Sequence, residues 1–326
     1  MRVGLDVSPL EQTRAGTSRY LRHLEALAGV ELVRLACRGR SRAVTVYRDA
    51  VWYPLVLPAR ARRLALDVLH CPTFRAPLSA PACPLVVTVH DLAVLRHPET
   101  FNQWTRLVSR LCVPRVARAA RLLIAVSEAT KRDLVELLAV PEEKVRVVPN
   151  GVAEVFTSEG PAEAGDYVLA VGTLEPRKNL PRLAAAARRL GCELRVAGAR
   201  GWGRVELGPG VRWLGEVSDE GLARLYRGAR CFAYPSLYEG FGLPIVEAMA
   251  CGVPVVTSRG GATEEIAGGA AVLVDPYDVA SIAAGIEEAS ARRGELTARG
   301  RERAAAFSWR ATAERTEAVY REVAAA

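Results

Sequence analysis

Short apolar runs, rich in valine and leucine, alternate with amphipathic stretches along the whole 326-residue chain. The runs at residues 2–6, 85–90 and 166–171 are largely hydrophobic, which is typical of strands that are buried on both faces. Their alternation with helical segments favours parallel sheets that are covered by helices on each side. We therefore predict an α/β fold with doubly wound, Rossmann-like sheets, in which ligands bind at the carboxyl ends of the strands.

The chain length indicates two such sheets, because 326 residues exceed what one ordinary core organises. Residues 155–165 are rich in Glu, Gly and Pro and lack periodicity, so we predict the linker there. The predicted domains are residues 1–157 and 166–308, with a cleft between them if their strand ends face each other. Residues 309–326 are predicted as a helix, and the sequence leaves open whether this helix crosses back to the first domain.

Helical periodicity is clear in three segments of the first domain, residues 18–28, 102–119 and 128–138. Ser127 directly precedes the third segment and is predicted to cap it. The tail from Asp278 onwards is predicted as helices that break near Gly294 and Ser308.

The most informative loop contains Glu239 and Glu247, which are separated by seven residues that include Gly242 and Pro244. Proline is well tolerated in the first helical turn, so a helix is predicted to begin near Gly242. The N–H groups of such a first turn favour phosphate or sugar oxygens. Because a carboxylate repels phosphate, the two glutamates are predicted to bind neutral hydroxyls. The loop therefore predicts a site for a sugar and a diphosphate together.

A second loop, residues 172–179, follows a predicted strand and places Arg177 and Lys178 side by side, before a helix that Asn179 is predicted to cap. A departing diphosphate needs positive charge, which becomes more valuable as the bond breaks. Arginine supplies a bidentate fork and lysine a point charge. The alternative is a polar turn with a surface cation pair, and the glutamates of the first loop favour the functional interpretation.

Three weaker signals follow other predicted strands. Residues 198–203 begin with Gly198, which allows close backbone approach, and this loop is predicted on the nucleotide side of the site. Gly16 and Thr17 precede a helix and are candidates for phosphate contacts through their N–H groups, without a G-x-G-x-x-G pattern. His90 ends a strand, where it suits hydrogen bonding to a substrate hydroxyl or proton handling; the alternative is a structural histidine.

The composition argues against several classes of protein. No run of about 18 apolar residues exists, so no membrane-spanning helix is predicted, and the first residues are predicted as a strand and not as a signal peptide. The seven cysteines are scattered, which favours reduced thiols in a cytoplasmic protein. The four histidines lack zinc spacing and no Asp-x-Asp pair occurs, so we predict no metal and no other cofactor.

Positive charge is concentrated in the first half. Residues 1–155 contain 23 Lys and Arg against 14 Asp and Glu, a net of +9, whereas the remainder contains 21 against 22, a net of −1. The positive half is compatible with peripheral contact with the inner face of a membrane or with an anionic acceptor, and the alternative is ordinary solvated surface. Nucleic acid is not expected as a partner, because aromatic residues do not interleave with the charges.

Together these residues resemble glycosyltransferase family 4, whose GT-B fold has two Rossmann-like domains facing each other across a cleft. The resemblance covers nearly the whole chain and is carried most specifically by Glu239-Gly-Phe-Gly through Glu247. Its supporting motifs are His90-Asp91-Leu92, Ser127-Glu128, Asn150-Gly151-Val152, residues 172–179, residues 198–203, Pro254-Val-Val and Val274-Asp-Pro276. The chain is most similar to bacterial mannosyltransferase-like members of polysaccharide and lipopolysaccharide biosynthesis.

The resemblance implies a retaining, metal-independent transfer of a hexose from a nucleotide diphosphate sugar to a glycan or lipid-linked acceptor. GDP-mannose is the first donor expected and UDP-glucose the second. In this family the acceptor hydroxyl is thought to attack on the leaving group's own side while a phosphate oxygen takes its proton, so no general base is assigned. The implied roles are Arg177 and Lys178 on the diphosphate, Glu239 with the backbone of Phe241, Gly242 and Leu243 on the donor sugar, Glu247 on the ribose, His90 near the reacting carbon, Gly16 and Thr17 beside the phosphate, and Gly172 and Gly198 in the donor loops.

Two positions depart from the family pattern. Thr173 stands where many members have Arg, so Arg177 would have to supply the missing positive charge. Ala15 precedes Gly16 where a double glycine is common.

Two other functions stay open: a nucleotide-sugar epimerase of the same two-sheet architecture and a non-catalytic nucleotide-sugar-binding protein. On sequence alone, Glu239→Ala or Lys178→Ala is expected to reduce transfer about a hundredfold or more and to leave the melting temperature nearly unchanged.

Overall fold

The computed structural model describes residues 1–11, 16–24, 29–201 and 205–325, and it contains two compact units. The first unit comprises Met1–Asn150 and Trp309–Ala326, and the second comprises Gly151–Ser308. Each unit contains a parallel six-stranded sheet, which confirms the predicted doubly wound α/β fold. No helix within the described ranges is long and apolar enough to cross a membrane.

The sheet of the first unit has the strand order β2-β1-β3-β4-β5-β6. Its strands are β1 Arg2–Asp6, β2 Glu31–Leu35, β3 Val68–Cys71, β4 Leu85–Val89, β5 Leu122–Ala125 and β6 Val145–Val147. The first six helices are α1 Gly16–Leu24, α2 Arg42–Tyr47, α3 Leu57–Arg63, α4 Ala93–Arg96, α5 Gln103–Ala119 and α6 Glu128–Leu138. Every residue of β3, β4 and β5 is buried, as expected for central parallel strands.

The sheet of the second unit has the strand order β12-β11-β10-β7-β8-β9. Its strands are β7 Tyr167–Val171, β8 Glu193–Ala197, β9 Val211–Gly215, β10 Cys231–Tyr234, β11 Val255–Ser258 and β12 Val272–Val274. Its helices are α7 Leu180–Arg189, α8 Asp219–Gly228, α9 Leu243–Ala250, α10 Gly261–Ala267, α11 Val279–Ala291 and α12 Arg293–Ala305. The chain order reverses between β7 and β10, which are neighbours in the sheet.

The last helix, α13 Trp309–Ala325, belongs to the first unit although it follows the second in sequence. Its Tyr320 hydroxyl lies 2.6 Å from Nδ1 of His70 in β3. Thr312 donates a hydrogen bond to the carbonyl of Pro149 at 2.7 Å. The chain therefore crosses back to the first unit after the end of the second.

The boundary between the units falls at Asn150, before the predicted linker. Residues 155–165 belong to the second unit: Phe156 is buried, with its ring centroid 6.0 Å from that of Tyr226, and Arg227 donates to two carbonyls of the segment. An aromatic anchor and hydrogen bonds to the backbone thus fix a stretch that has no helical or strand periodicity. The predicted start of the second domain at residue 166 is therefore too late.

Candidate active site

Two loops that carry most of the predicted donor-site residues follow the two strands at the reversal of chain order. Residues 172–179 follow β7, and residues 235–242 follow β10. The carboxyl ends of strands at such a reversal are where open α/β sheets bind ligands. The order of the strands, which no local pattern reveals, therefore brings the two loops together.

Arg177, Lys178 and Glu239 form one ion cluster between these loops. Lys178 Nζ donates to Glu239 Oε1 at 2.6 Å, and Arg177 Nη1 donates to Oε2 at 2.8 Å. The three side chains are only 14%, 10% and 8% exposed, for Arg177, Lys178 and Glu239 in turn. Nη2 of Arg177 also lies 2.9 Å from Oε1 of the buried Glu175. When all four groups are ionised, the two cations and the two carboxylates balance in formal charge.

Burial is the largest single influence on the pKa of Glu239, and it acts to raise that pKa. The positive charges of Arg177 and Lys178, with hydrogen bonds from Lys178 and Tyr234, outweigh burial and lower the pKa of Glu239 to about 2. Burial lowers the pKa of Lys178, and the Glu239 carboxylate opposes that shift. Glu239 therefore remains ionised at neutral pH.

The two cations belong to a 3-10 turn, Pro176–Lys178, that is fixed by Asn179. Asn179 is buried in the left-handed conformation, with φ 58° and ψ 27°. Its side-chain amide donates to the carbonyls of Pro235 at 3.0 Å and Pro276 at 2.6 Å. Asn179 occupies the N-cap position of α7 but its side chain makes no cap hydrogen bond, so the predicted capping role is wrong. The residue instead ties the cation turn to two other loops.

Glycines let the loop after β8 approach the loop after β7. A Cβ atom built on Gly198 would lie 2.1 Å from the carbonyl oxygen of Gly172, and one built on Gly201 would lie 2.5 Å from that of Leu174. At both glycines, the backbone of the loop after β7 therefore occupies the space that a side chain would need. Residues 202–203 of this predicted loop lie outside the described residues.

Helix α9 begins where the sequence predicts. Gly242 is its N-cap residue, in a left-handed conformation with φ 98°, and Pro244 lies in its first turn. Leu243 opens the helix and is partly buried, whereas Phe241 is buried and packs edge-on against Phe307, with ring centroids 5.7 Å apart. The backbone of these residues is therefore held by core packing on one side and by the helix on the other.

The second glutamate of the motif has different surroundings from the first. Glu247 lies inside α9, is 1% exposed, and accepts a hydrogen bond from the Tyr226 hydroxyl at 3.2 Å. Tyr226 lies in α8 and is itself fully buried. Glu247 is thus anchored by a core tyrosine, and its contact with a ribose stays a prediction.

His90 follows β4 in the first unit. Its ring meets the Tyr20 ring edge-on at 5.0 Å, and its Nε2 is buried without a hydrogen-bond partner in the described part of the chain. Burial lowers the pKa of His90 to about 4, against the opposing effects of Asp91 and of a hydrogen bond to the backbone of Pro72. His90 is therefore neutral at physiological pH, with Nε2 available as a hydrogen-bond acceptor.

Gly16 and Thr17 are the first two residues of α1. Gly16 is exposed and Thr17 is partly buried, and the preceding residues 12–15 lie outside the described residues. Their predicted contact with phosphate stays a prediction.

Sequence reasoning missed two members of the donor-site cluster. Glu175 pairs with Arg177, and the Tyr234 hydroxyl accepts a hydrogen bond from Lys178 Nζ at 2.7 Å. Glu175 lies in the same loop as the cations, and Tyr234 is the last residue of β10, directly before the loop of Glu239. Their positions next to predicted site residues could therefore have marked both as candidates. Across the described ranges, no group of three or more His, Cys, Asp or Glu side chains is placed to hold a metal ion.

Two family models together match most of the chain. The model of Glycosyltransferase Family 4 matches residues 16–155, and that of Glycosyl transferases group 1 matches residues 153–307. O-antigen chain mannosyltransferase B from Escherichia coli is 33% identical over 290 residues, which cover 79% of this chain and 76% of that protein. The chain belongs to glycosyltransferase family 4.

Two further proteins are similar to this glycosyltransferase, one in sequence and one in fold. MMP alpha-(1->4)-mannosyltransferase from Mycolicibacterium hassiacum is 35% identical over 272 residues, which cover 73% of this chain and 65% of that protein. Sucrose-phosphate synthase from Thermosynechococcus elongatus superposes with a TM-score of 0.82 at 21% identity, over 100% of this chain and 99% of that one. The predicted GT-B fold and the similarity to bacterial mannosyltransferases are confirmed, and the epimerase alternative gains no support, because both family models describe glycosyl transfer.

Proposed function

We propose that this glycosyltransferase transfers mannose from GDP-mannose to a glycan or lipid-linked acceptor, with retention of configuration and without a metal ion. The ion cluster of Arg177, Lys178 and Glu239 carries the proposal, because it places two cationic side chains at the carboxyl ends of β7 and β10. Mannose is favoured because the two sequence relatives described above, from Escherichia coli and Mycolicibacterium hassiacum, are mannosyltransferases. UDP-glucose is the second donor that we propose.

The cluster suits a diphosphate leaving group. Arg177 and Lys178 are oriented beforehand by buried carboxylates, so they need little reorganisation when the donor binds. As the bond between the sugar carbon and the phosphate oxygen breaks, the electron pair stays on the phosphate oxygen, and both cations stabilise the growing charge. The acceptor oxygen forms the new bond on the same face of the sugar, and its proton passes to a phosphate oxygen.

Glu239 has two tasks in this proposal. It holds Arg177 and Lys178 in position, and it shares them with the diphosphate once the donor is bound. Its carboxylate oxygens then accept hydrogen bonds from hydroxyls of the donor sugar. His90 in the first unit is proposed to accept a hydrogen bond from a sugar hydroxyl through Nε2. The ribose contact of Glu247 completes the donor site.

The acceptor is proposed to be met at the cytoplasmic face of a membrane, where the protein acts as a peripheral enzyme. The positive net charge of residues 1–155 supports this proposal, because an anionic leaflet attracts basic surfaces.

A thermal-shift panel of nucleotide sugars tests the donor. A ligand that binds only the folded state raises its stability, so GDP-mannose is expected to give the largest shift. The same panel with EDTA tests metal independence, and loss of the shift on chelation would contradict it. The anomeric configuration of the transferred sugar, read by proton NMR of the product, decides between retention and inversion.

A further inference from the structure

Strand β4 divides its side chains between two different surroundings. Val87 and Val89 belong to the apolar core of the first unit. Because successive side chains along a strand point to opposite faces, Thr88 and His90, which directly follows the strand, share the other face. Hydrogen bonds connect that other face to α1 and to α13. His90 therefore lies on the face that these two helices cover.

A buried hydrogen-bonded network lies on this face. The hydroxyl of Tyr20 in α1 lies 2.9 Å from Thr88 Oγ1, which lies 2.8 Å from Nε2 of His70. Nδ1 of His70 in turn contacts the Tyr320 hydroxyl at the other end of the network. All four side chains are fully buried, and because unpaired buried polar groups are costly, the network favours one arrangement and fixes Tyr20 against β4.

The ring of Tyr20 contacts two further aromatic side chains. Its centroid lies 5.0 Å from that of His90, with the ring planes at 83°. It also lies 6.3 Å from the ring of Trp309, the first residue of α13, with the planes at 58°. Edge-to-face packing of aromatic rings is directional as well as favourable, so the Tyr20 ring restricts rotation of the His90 imidazole.

The two nitrogens of His90 have different surroundings. Nε2 has no hydrogen-bond partner among the described residues, so the hydrogen bond to the backbone of Pro72 uses Nδ1, which donates to the carbonyl. A half-turn of the ring about its bond to Cβ would put carbon atoms where both nitrogens lie. The backbone contact and the acceptor nitrogen therefore exist together in a single orientation of the ring.

We propose that Tyr20 is a positioning residue for sugar transfer, because its ring holds the His90 imidazole in the orientation that presents Nε2 to the donor sugar. Tyr20 acts through His90, so the inference rests on the role of His90 in the proposed function. The hydroxyl of Tyr20 anchors the ring through Thr88, and the ring itself makes the contact with His90. Loss of the whole side chain should therefore be more harmful to transfer than loss of the hydroxyl alone.

Nitrogen-15 NMR of the histidine side chains reads the orientation of His90 in the absence of substrate. The chain has four histidines, and the His90 signals are those missing from His90→Phe. The parent should show a neutral ring that is protonated at Nδ1. In Tyr20→Leu we expect the Nε2-protonated tautomer to appear and the pKa of His90 to rise from about 4 towards its ordinary value of 6.5, because burial decreases. Unchanged His90 signals in Tyr20→Leu would overturn the proposal.

Transfer kinetics of the same variants test whether this orientation matters for the reaction. Tyr20→Leu should lower kcat/KM about tenfold, and Tyr20→Phe, which keeps the ring, should recover most of that loss. In a chain that already carries His90→Phe, Tyr20→Leu should cost less than about twofold more, because no acceptor nitrogen remains to be positioned. An equal loss in both backgrounds would mean that Tyr20 acts independently of His90 and would overturn the proposal.

Tyr320→Phe is the matched control for damage to the fold. It removes a buried hydroxyl from the same network and leaves the Tyr20 ring in place, so the melting temperature should fall while transfer stays close to that of the parent. A loss of transfer in Tyr320→Phe as large as that in Tyr20→Leu would overturn the positioning role, because general weakening of the network would then explain both.

The outcomes also separate this inference from the proposed function. If Tyr20→Leu changes the His90 signals but the parent transfers no mannose, the positioning of His90 stands and the proposed function fails. If His90→Phe is impaired and Tyr20→Leu transfers like the parent, the proposed function stands and the positioning role fails.

Discussion

Lys178 and Glu239 form a nearly buried ion pair, in which Nζ of the lysine lies 2.6 Å from Oε1 of the glutamate. The pair joins the loop after β7 to the loop after β10, so it fixes the two loops to each other as well as presenting a cation. The same lysine also donates to Tyr234 and lies over its ring, with Nζ 4.9 Å from the ring centroid. A contact proposed to act in catalysis is thus also part of the local structure.

Lys178→Ala is expected to lower both activity and stability. Transfer should fall about a hundredfold, because a preoriented charge beside the leaving group is lost. Breaking a buried ion pair typically costs about 3–5 kcal/mol, so the melting temperature should also fall. This replaces the expectation from sequence alone that stability would hardly change.

Steady-state kinetics and urea unfolding measure the two effects. Arg189→Ala is the matched control, because Arg189 is an exposed cation at the end of α7, and neither property should change. Full stability in Lys178→Ala would show that the pair contributes nothing to the fold, and full transfer would remove Lys178 from the proposed mechanism.

Acid should weaken the protein through Glu239. The pKa of Glu239 is lowered from an ordinary value of 4.5 to about 2, so below pH about 4.5 the unfolded chain takes up a proton that the folded chain does not. The stability that Glu239 contributes is fully present above pH about 4.5 and is lost as the pH falls towards 2. Glu239→Gln should therefore lose less stability than the parent between pH about 5 and 3, in urea unfolding followed by circular dichroism. Parallel pH profiles of parent and variant would contradict the lowered pKa.

Much of the fold could be predicted because its signals are local. The bounds of α6, Glu128–Leu138, agree with the helical pattern, and Ser127 caps this helix by accepting a hydrogen bond from the Thr130 N–H at 3.0 Å. The fully buried strands of both sheets likewise appear as apolar runs. Helix capping and apolar periodicity depend only on residues that are close in sequence, so they can be recognised without knowledge of the fold.

The helical region between β2 and β3 was not predicted. There α2 and α3 are joined by a π-helical segment, Arg48–Val56, which contains Pro54. Prolines and arginines obscure the periodicity, and the segment is held by tertiary packing of Trp52 and Tyr53 in the core. Such packing depends on distant residues, so a local pattern does not reveal it.

The donor-site cluster was predicted as separate residues and not as a network. Arg177, Lys178 and Glu239 could be identified as chemically suited side chains, but their mutual distances depend on the adjacency of β7 and β10 in the sheet. The pairing of Arg177 with Glu175 could not be read from spacing, since residues two apart in a loop have no fixed geometry.

The pH dependence of transfer should contain no contribution from His90. Burial lowers the pKa of this histidine to about 4, so it stays neutral across the range from about pH 5.5 to 8. His90→Phe removes the acceptor and should reduce kcat/KM about tenfold to a hundredfold, whereas His90→Gln retains an acceptor and should lose less. The pH profiles of kcat/KM for the parent and for His90→Gln should have the same shape. An inflection near pH about 6.5 that only the parent shows would mean that His90 titrates during catalysis.

The close contact of Gly198 with Gly172 should make any side chain at residue 198 harmful. In Gly198→Ala the new Cβ would meet the Gly172 carbonyl oxygen at 2.1 Å, so one of the two donor loops must move. We expect a loss of about 1–3 kcal/mol in the free energy of unfolding and a smaller thermal shift on addition of the donor. Gly210→Ala separates this clash from backbone strain, because Gly210 also has a positive φ, 81°, but no atom within 4 Å of its built Cβ. If both variants lost stability equally and bound the donor equally, backbone strain alone would explain the effect and the contact between the loops would have no role in binding.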